Sequence, residues 1–463
     1  MLRRLRTWAF LGSSVLIACG RPARPPNVLL IVIDTLRADR VGWYGDGRRL
    51  TPFLDSLAAQ GTVFSHAYAQ GSWTAPSVAS LLTSRYPSQH QVSAFHSVLA
   101  DEEVTLAEVL GQNGWVNGGF TANVVLDGRL GYRQGFDSWV VVEGDVPARA
   151  SFLPDARIKP RARHVREQVR IWLDTVQRER PATPIFLYVQ YMEPHTPYGP
   201  PRELVDRLLA RHADAGRARA VLDALYTLPN LHRWNRPDPE FPTSIEDLYD
   251  AEVSDLDTEL ARLFADLERS GFLANAIVVV TADHGEEFMD HGRMQHGTSL
   301  YEEIIHVPLL VRAPGDTRRR DVADTVQLID VAPTVLRLAG VPPPPSFEGR
   351  ALLPPAGGQA IAYSEQTADP SEVLGVKSQR HERAVVAGTQ KVVLAVGGGV
   401  ETYDLASDPL EQHADGLPAP DRTRLESAMA ESWRRAQRHP SPHRRLRLDA
   451  PMKDRLRALG YVQ

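Results

Sequence analysis

At 463 residues the chain is long enough for one large domain with a smaller companion. Hydrophobic residues make up 43% and charged residues 24%, a balance that excludes both a disordered chain and a membrane-spanning bundle. The net charge of −5 leaves no electrostatic footprint for nucleic acid, so no nucleic-acid partner is expected.

The amino-terminal stretch is distinct from the rest. Arg3, Arg4 and Arg6 precede an apolar run, Thr7–Ala18, and the sequence Leu16-Ile17-Ala18-Cys19 closes it. A basic start, a short apolar middle and small residues at the end describe an export signal, and the run is shorter than the ~20 residues a membrane span needs. The Leu-Ile-Ala-Cys ending is similar to a bacterial lipobox, in which the cysteine is acylated and becomes the new amino terminus. Cys19 is the single cysteine of the chain. Residues 1–19 are therefore read as a lipoprotein-type signal with Cys19 as the lipidation site. Residues 20–26, rich in Pro and Arg, are read as a stiff tether. The location expected is a bacterial cell envelope, lipid-anchored at the outer membrane or the periplasmic face.

The folded part opens with Asn27–Asp34, where six consecutive apolar residues end at an acid. Such a run predicts a strand buried on both faces, with Asp34 at its carboxyl end, where parallel sheets gather ligands. Asp34 can equally be a turn residue. Thr51–Gln60 is an amphipathic helix and Thr62–His66 a short strand. Thr74 then stands before a helix patterned by Ala75, Val78, Ala79 and Leu82. Its hydroxyl is placed either to cap that helix or to act as a nucleophile at its positive end.

Leu106–Gly114 reads as another helix, and Gly118–Asn123 approaches from a strand. Val140–Arg180 is polar and arginine-rich, a surface helix and loop. Pro184–Tyr191 is a second buried strand leading to Glu193-Pro194-His195. Ala210–Pro242 is poorly patterned, as a surface insertion would be. Ile245–Leu267 is a long amphipathic helix whose Glu252, Asp255 and Asp257 read as a solvated face.

Ala276–Val280 is a third buried strand, followed by Asp283-His284. Side by side, an acid and an imidazole can ligate a divalent metal or form an ordinary surface turn. His291 and His296 follow shortly, each before a glycine. Val307–Val311 is a further strand and Asp330–Gly340 a closing helix. Lys391–Ala395 and Val400–Tyr403 read as strands of a second unit. The basic stretch Arg434–Arg457 reads either as a face for anionic lipid or as a solvated helix packed by Leu446, Leu456 and Leu459.

Six blocks then stand in order: NVLLIVIDTLRADRVGWYG, TPFLDSLAAQGTVFSHAY, GSWTAPSVASLLTSRYP, VVVTADHGEEF, HGTSLYEEIIHVPLLVRAPG and VETYDLASDPLEQ. Together they resemble the sulfatase family of the alkaline-phosphatase-like superfamily over most of residues 27–412. The resemblance implies an α/β fold, a large mixed, mostly parallel sheet sandwiched by helices, with a smaller carboxy-terminal domain bearing an antiparallel sheet. The four prolines within Val341–Ser346 mark the boundary between a catalytic domain, 27–345, and a smaller domain with a basic tail, 346–463. The resemblance places Asp34, Asp283 and His284 on metal-ligand positions and Thr74 on the nucleophile. His296 falls on a substrate-facing cationic position and His195 in the segment that supplies another, and either is expected to act in catalysis by protonating the leaving alcohol or stabilising the oxyanion. Beside the resemblance, Asn123 can donate to a bound oxyanion and His291, from the same histidine cluster, is read as a further substrate contact. One divalent ion, Ca, Mg or Mn, is implied as cofactor.

Three departures from the family pattern bear on the chemistry. Sulfate-ester sulfatases carry a Cys or Ser oxidised to formylglycine within Cys-x-Pro-Ser-Arg, whereas this chain reads Thr74-Ala75-Pro76-Ser77-Val78. The second Asp of the usual pair is Thr35. The Gly-Lys-Trp-His block is replaced by Thr121-Ala122-Asn123-Val124. A formylglycine hydrate expels sulfate by collapsing to the aldehyde; a sulfo-threonine has no such exit, whereas a phospho-threonine turns over by in-line attack at phosphorus. The expectation is a metal-dependent hydrolase of phosphate or sulfate esters, small-molecule or envelope components, with phosphate favoured. A phospho-headgroup transferase and a non-catalytic sulfatase-like binding protein are the alternatives.

Overall fold

A computed structural model describes residues 24–143, 160–211, 214–217, 220, 241–354, 361–366, 382–395 and 399–458. The expected signal peptide and Cys19 lie outside them, as does most of the insertion expected at 210–242. Of the expected tether, Arg24–Pro26 lies against the body: Asn275 and Trp115 donate to the carbonyls of Arg24 and Pro26. Among the described residues no helix is long and apolar enough to cross a membrane.

The strands in chain order are β1 (Asn27–Ile33), β2 (Thr62–Tyr68), β3 (Ser97–Val98), β4 (Val116–Thr121), β5 (Ser138–Val141), β6 (Ile185–Tyr191), β7 (Ala276–Ala282) and β8 (Glu287–Phe288). They continue with β9 (Met294–Gln295), β10 (Leu309–Arg312), β11 (Arg320–Gln327), β12 (Ala362–Glu365), β13 (Glu382–Ala387), β14 (Gln390–Ala395), β15 (Val400–Asp404) and β16 (Arg444–Arg445). Eight of them form the large sheet, in the order β11-β2-β10-β7-β1-β6-β4-β5. From β7 to β5 every pair is parallel, and β10 runs antiparallel between β7 and β2. This is the large mixed, mostly parallel sheet that the chain was expected to form.

β1 sits in the middle because nothing in Val28–Ile33 tolerates water; all six side chains are buried. Helices cover the sheet with one apolar face each. Ala162–Glu179 turns Val165, Val169, Leu173 and Val176 inward, and Phe241–Arg269 turns in Leu248, Leu256, Leu260, Leu263 and Leu267. The arginine-rich stretch expected as surface thus contributes a half-buried helix.

The acidic face of Phe241–Arg269 is not solvated as expected. Asp257 is buried and accepts the amides of Phe53 and Leu54 at 2.8 and 2.9 Å. It caps α1 (Pro52–Ala58) from another helix, while Thr51, in the cap position, makes no side-chain cap bond. Glu252 is also buried, accepting from Arg161 and from the Gly199 amide. Asp255 is only half-buried. Both exceptions answer to orphan donors supplied by distant segments.

The smaller unit is the antiparallel sheet β12-β13-β14-β15 with helix Ala419–Ala436 packed on β13 and β14. Lys391 of β14 is fully buried between Glu302, at 3.0 Å, and Glu411, at 2.8 Å. Glu302 belongs to the large domain, so this ion triad ties the two units together. The basic tail returns to the large domain: β16 pairs with β3, and Met452 and Leu456 join its core. That is the packed alternative expected for this stretch, with Leu446 packing beside them. Arg457 and Leu459 carry no described side chains.

Lys391→Met leaves two buried carboxylates without their cation, and equilibrium denaturation should show a loss of about 3–5 kcal/mol.

Candidate active site

Four segments deliver side chains to the carboxyl ends of the central parallel strands, where an open α/β sheet leaves a crevice. Asp34 follows β1, Asp283 and His284 follow β7, Asn123 follows β4, and Thr74 opens the helix α2 (Thr74–Thr83). α2 is buried along its whole length, which fixes its first turn against the sheet. Trp73, extended at φ −159°, occupies the cap position. Thr74 is therefore the first helical residue and does not cap the helix. Its hydroxyl is turned instead into the cluster of acids.

Thr74 Oγ1 lies 3.4 Å from Asp34 Oδ1 and 3.3 Å from His284 Nε2. The Asn123 amide donates to Asp34 Oδ2 at 2.6 Å and reaches Thr74 Oγ1 at 3.4 Å. His284 Nδ1 faces the Gly285 carbonyl at 2.9 Å, an acceptor only, so Nδ1 carries the hydrogen and Nε2 presents its lone pair. That nitrogen is 3.5 Å from Asp34 and 3.8 Å from Asp283.

All these groups are fully buried. Burial, then the neighbouring Asp283 carboxylate, raises Asp34 well above the usual carboxylate value. Burial likewise raises Asp283. For His284, burial first and the His296 imidazole second push the pKa down to about 4, so the ring is neutral at pH 7. Two desolvated carboxylates and a neutral imidazole, with ligand atoms within 4.8 Å of one another, are the donor set of a divalent cation. Thr35 adds a second indication: its buried Oγ1 has no hydrogen-bond partner among the described residues. The backbone there is also strained, a β-branched residue at φ 57°, which lets the Thr35 amide reach Asp283 Oδ1 at 3.3 Å. The residues present fit a divalent ion.

His296 and His195 are brought to the same place. The His284, His296 and His195 rings follow one another with centroid separations of 4.5 and 5.0 Å. His296 Nδ1 is 3.0 Å from Glu286 Oε1, and the amide of Gly297 bonds to the Ser72 carbonyl beside α2. Glu286 was missed in the sequence; the signal for it is the acid two residues beyond His284.

His291, expected to contact substrate, is held elsewhere. Its Nδ1 bonds Glu303 at 2.7 Å, its Nε2 the Glu411 carbonyl at 3.1 Å, and its ring stacks on Tyr301. Burial opposes its charge, but the hydrogen bond and charge of Glu303 together with the carbonyl and charge of Glu411 outweigh that and lift its pKa to about 9. It serves as a structural imidazolium between the domains.

A family model described as Sulfatase matches residues 26–341, and one described as N-sulphoglucosamine sulphohydrolase, C-terminal, matches residues 290–437. Arylsulfatase K of Bos taurus is 25% identical over 437 residues, covering 83% of this chain and 77% of that one. Iduronate 2-sulfatase of Homo sapiens is 26% identical, covering 72% and 73%. Among solved structures, one determined with its substrate D-glucosamine-2-N,6-O-disulfate superposes with a TM-score of 0.72 at 20% identity, covering 89% of this chain and 98% of that one. The phosphonate monoester hydrolase of Agrobacterium radiobacter superposes with a TM-score of 0.65 at 23% identity, covering 89% and 95%. At these identities the structural matches speak for the fold.

Protons and a cation compete for Asp34 and Asp283, whose pKa values are raised. Calcium, magnesium or manganese should therefore raise the melting temperature, and by more as pH rises from about 5 to about 8. In the metal-free protein the sign reverses: carboxylates that bind protons more tightly folded than unfolded contribute stability at low pH that is lost as pH rises. Scanning calorimetry with and without chelator across that range checks both trends.

Proposed function

We propose, for a chain that belongs to the sulfatase family and is an ester hydrolase by that kinship, that Thr74 is its nucleophile and phosphate or sulfate esters its substrates. The observation that carries this reading is the Thr74 hydroxyl, buried at the start of α2 within 3.4 Å of Asp34, His284 and Asn123. That oxygen does not cap its helix, so its only contacts shown are with the groups of the cluster.

The chain's own groups supply most of a displacement at phosphorus or sulfur. Thr74 directs its hydrogen at Asp34 Oδ1, which receives the proton as the oxygen attacks in line. The amino end of α2 faces the charge that develops on the transferred group. Asn123 holds the other Asp34 oxygen and donates toward the reacting centre. His296, steadied by Glu286, or His195 beside it protonates the departing alcohol. Water then attacks the Thr74 ester, giving a proton to the histidine that lost one, while the Thr74 oxygen leaves and takes back its proton from Asp34. A divalent cation held by Asp34, Asp283 and His284 would polarise the ester oxygen and lower the pKa of the attacking hydroxyl.

Threonine favours phosphate esters within this range. The family's formylglycine route releases sulfate by carbonyl formation, which a threonyl ester cannot follow, whereas a phosphothreonine is open to a second in-line attack. The proposal extends to location: acylation at Cys19 would hold the enzyme at the bacterial envelope, near small or envelope-derived esters.

A brief pulse with an activated phosphate ester and divalent metal, followed by peptide mass spectrometry, should place the transferred group on the Thr74 peptide. Thr74→Ala should lower kcat on the order of 10³-fold with folding unchanged; equal turnover would overturn the nucleophile. In a bacterial host, Cys19→Ser should move the protein from the membrane fraction to the soluble one.

A further inference from the structure

Gln190 is the one carboxamide in β6, a strand otherwise apolar and aromatic, and it is fully buried. An amide there is costly unless both ends are bonded. Both are: Nε2 donates to Asp283 Oδ2 at 3.2 Å, and Oε1 accepts the hydroxyl of Tyr188. A carboxylate only accepts, so the nitrogen has to face Asp283, and the oxygen is left for the phenol. Tyr188 and Gln190 are two apart on a strand and share its face.

The bond also crosses the sheet. Gln190 pairs with Val32 of β1, whose other neighbour is Thr281 of β7. The Gln190 and Asp283 side chains together therefore bridge two strand spacings, about 10 Å of backbone separation, across β1. Asp283 Oδ1 is taken by the amides of Thr35 and His284. Those two contacts leave the carboxylate free to pivot about Oδ1, and Gln190 removes that freedom by holding Oδ2.

We infer that Gln190, oriented by Tyr188, is a positioning residue that fixes the Asp283 carboxylate toward Asp34 and His284 and so sets the cluster's affinity for a divalent cation. The inference rests on the metal-binding reading of that cluster and adds a residue to it. Partners that orient a metal ligand from behind are commonly worth about 10–100-fold in affinity.

The test is calorimetric titration of magnesium, calcium and manganese into the full chain and into Gln190→Leu, Gln190→Asn and Tyr188→Phe, with melting temperatures taken in chelator. Gln190→Leu and the shorter Gln190→Asn should bind about tenfold more weakly or worse, and Tyr188→Phe less severely, with metal-free melting temperatures near that of the parent. Tyr188→Phe, which keeps the ring, stands in should the Gln190 variants fail to fold. Affinities equal to the parent's would overturn this inference alone, as would a fall in metal-free stability with binding unchanged. A parent that takes up none of the three ions would overturn the metal reading and this inference with it.

Discussion

Two carboxylates without water, Asp34 and Asp283, are the constraint around which the rest of the centre is arranged. Burial raises the pKa of both, and the Asp283 charge raises Asp34 further, so left alone they hold protons at the cost of their chemistry. The strand order brings them together: β1 and β7 are neighbours in parallel register, so the acids that follow them emerge side by side. Every nearby donor answers that charge. The Asn123 amide, the backbone of Thr35 and His284, and the Gln190 amide point hydrogens at three of the four oxygens, and the Thr74 hydroxyl at the fourth.

The neutral character of those donors distinguishes this centre from the family pattern. Where that pattern has a further Asp, this chain has Thr35; where it has Arg, Val78; and where it has Lys and His, Asn123 and its neighbours. One anionic ligand and several cations are gone together, so losses of opposite sign offset each other. The crevice is left with the Thr74 hydroxyl proposed as nucleophile, a helix amino end and a row of three imidazoles. Such a set stabilises transferred oxyanions with dipoles and ring protons more than with fixed positive charge.

What could be read from the sequence followed from locality. Asp34, Thr74, Asp283 and His284 each close or open an element whose apolar pattern is visible in a few residues, so their positions at strand ends and a helix start were legible. His291 and His296 are alike in sequence, each a histidine before a glycine. They part company only through Glu303 and Glu286, whose side chains select one for the domain junction and the other for the crevice. Gln190 was hidden inside a strand that reads simply as buried. Asp257 and Glu252 were misread because their partners, the Phe53 amide of α1 and the Arg161 guanidinium, lie 204 and 91 residues away in the chain. A helical wheel shows which face is acidic and not what will be laid upon it.

The return of the tail to the large domain has a consequence for the order in which the molecule takes shape. β16 adds to β3 across more than three hundred residues, and the helix Ala450–Ala458 seats on the turn at Val124–Leu126, directly after Asn123. The turn that follows Asn123 is therefore backed by a segment more than three hundred residues downstream. Contacts so remote in sequence close late and slowly. Until that distant segment docks, the flank of the centre beside Asn123 is uncovered, and the ordering of that flank waits on chain far downstream of it.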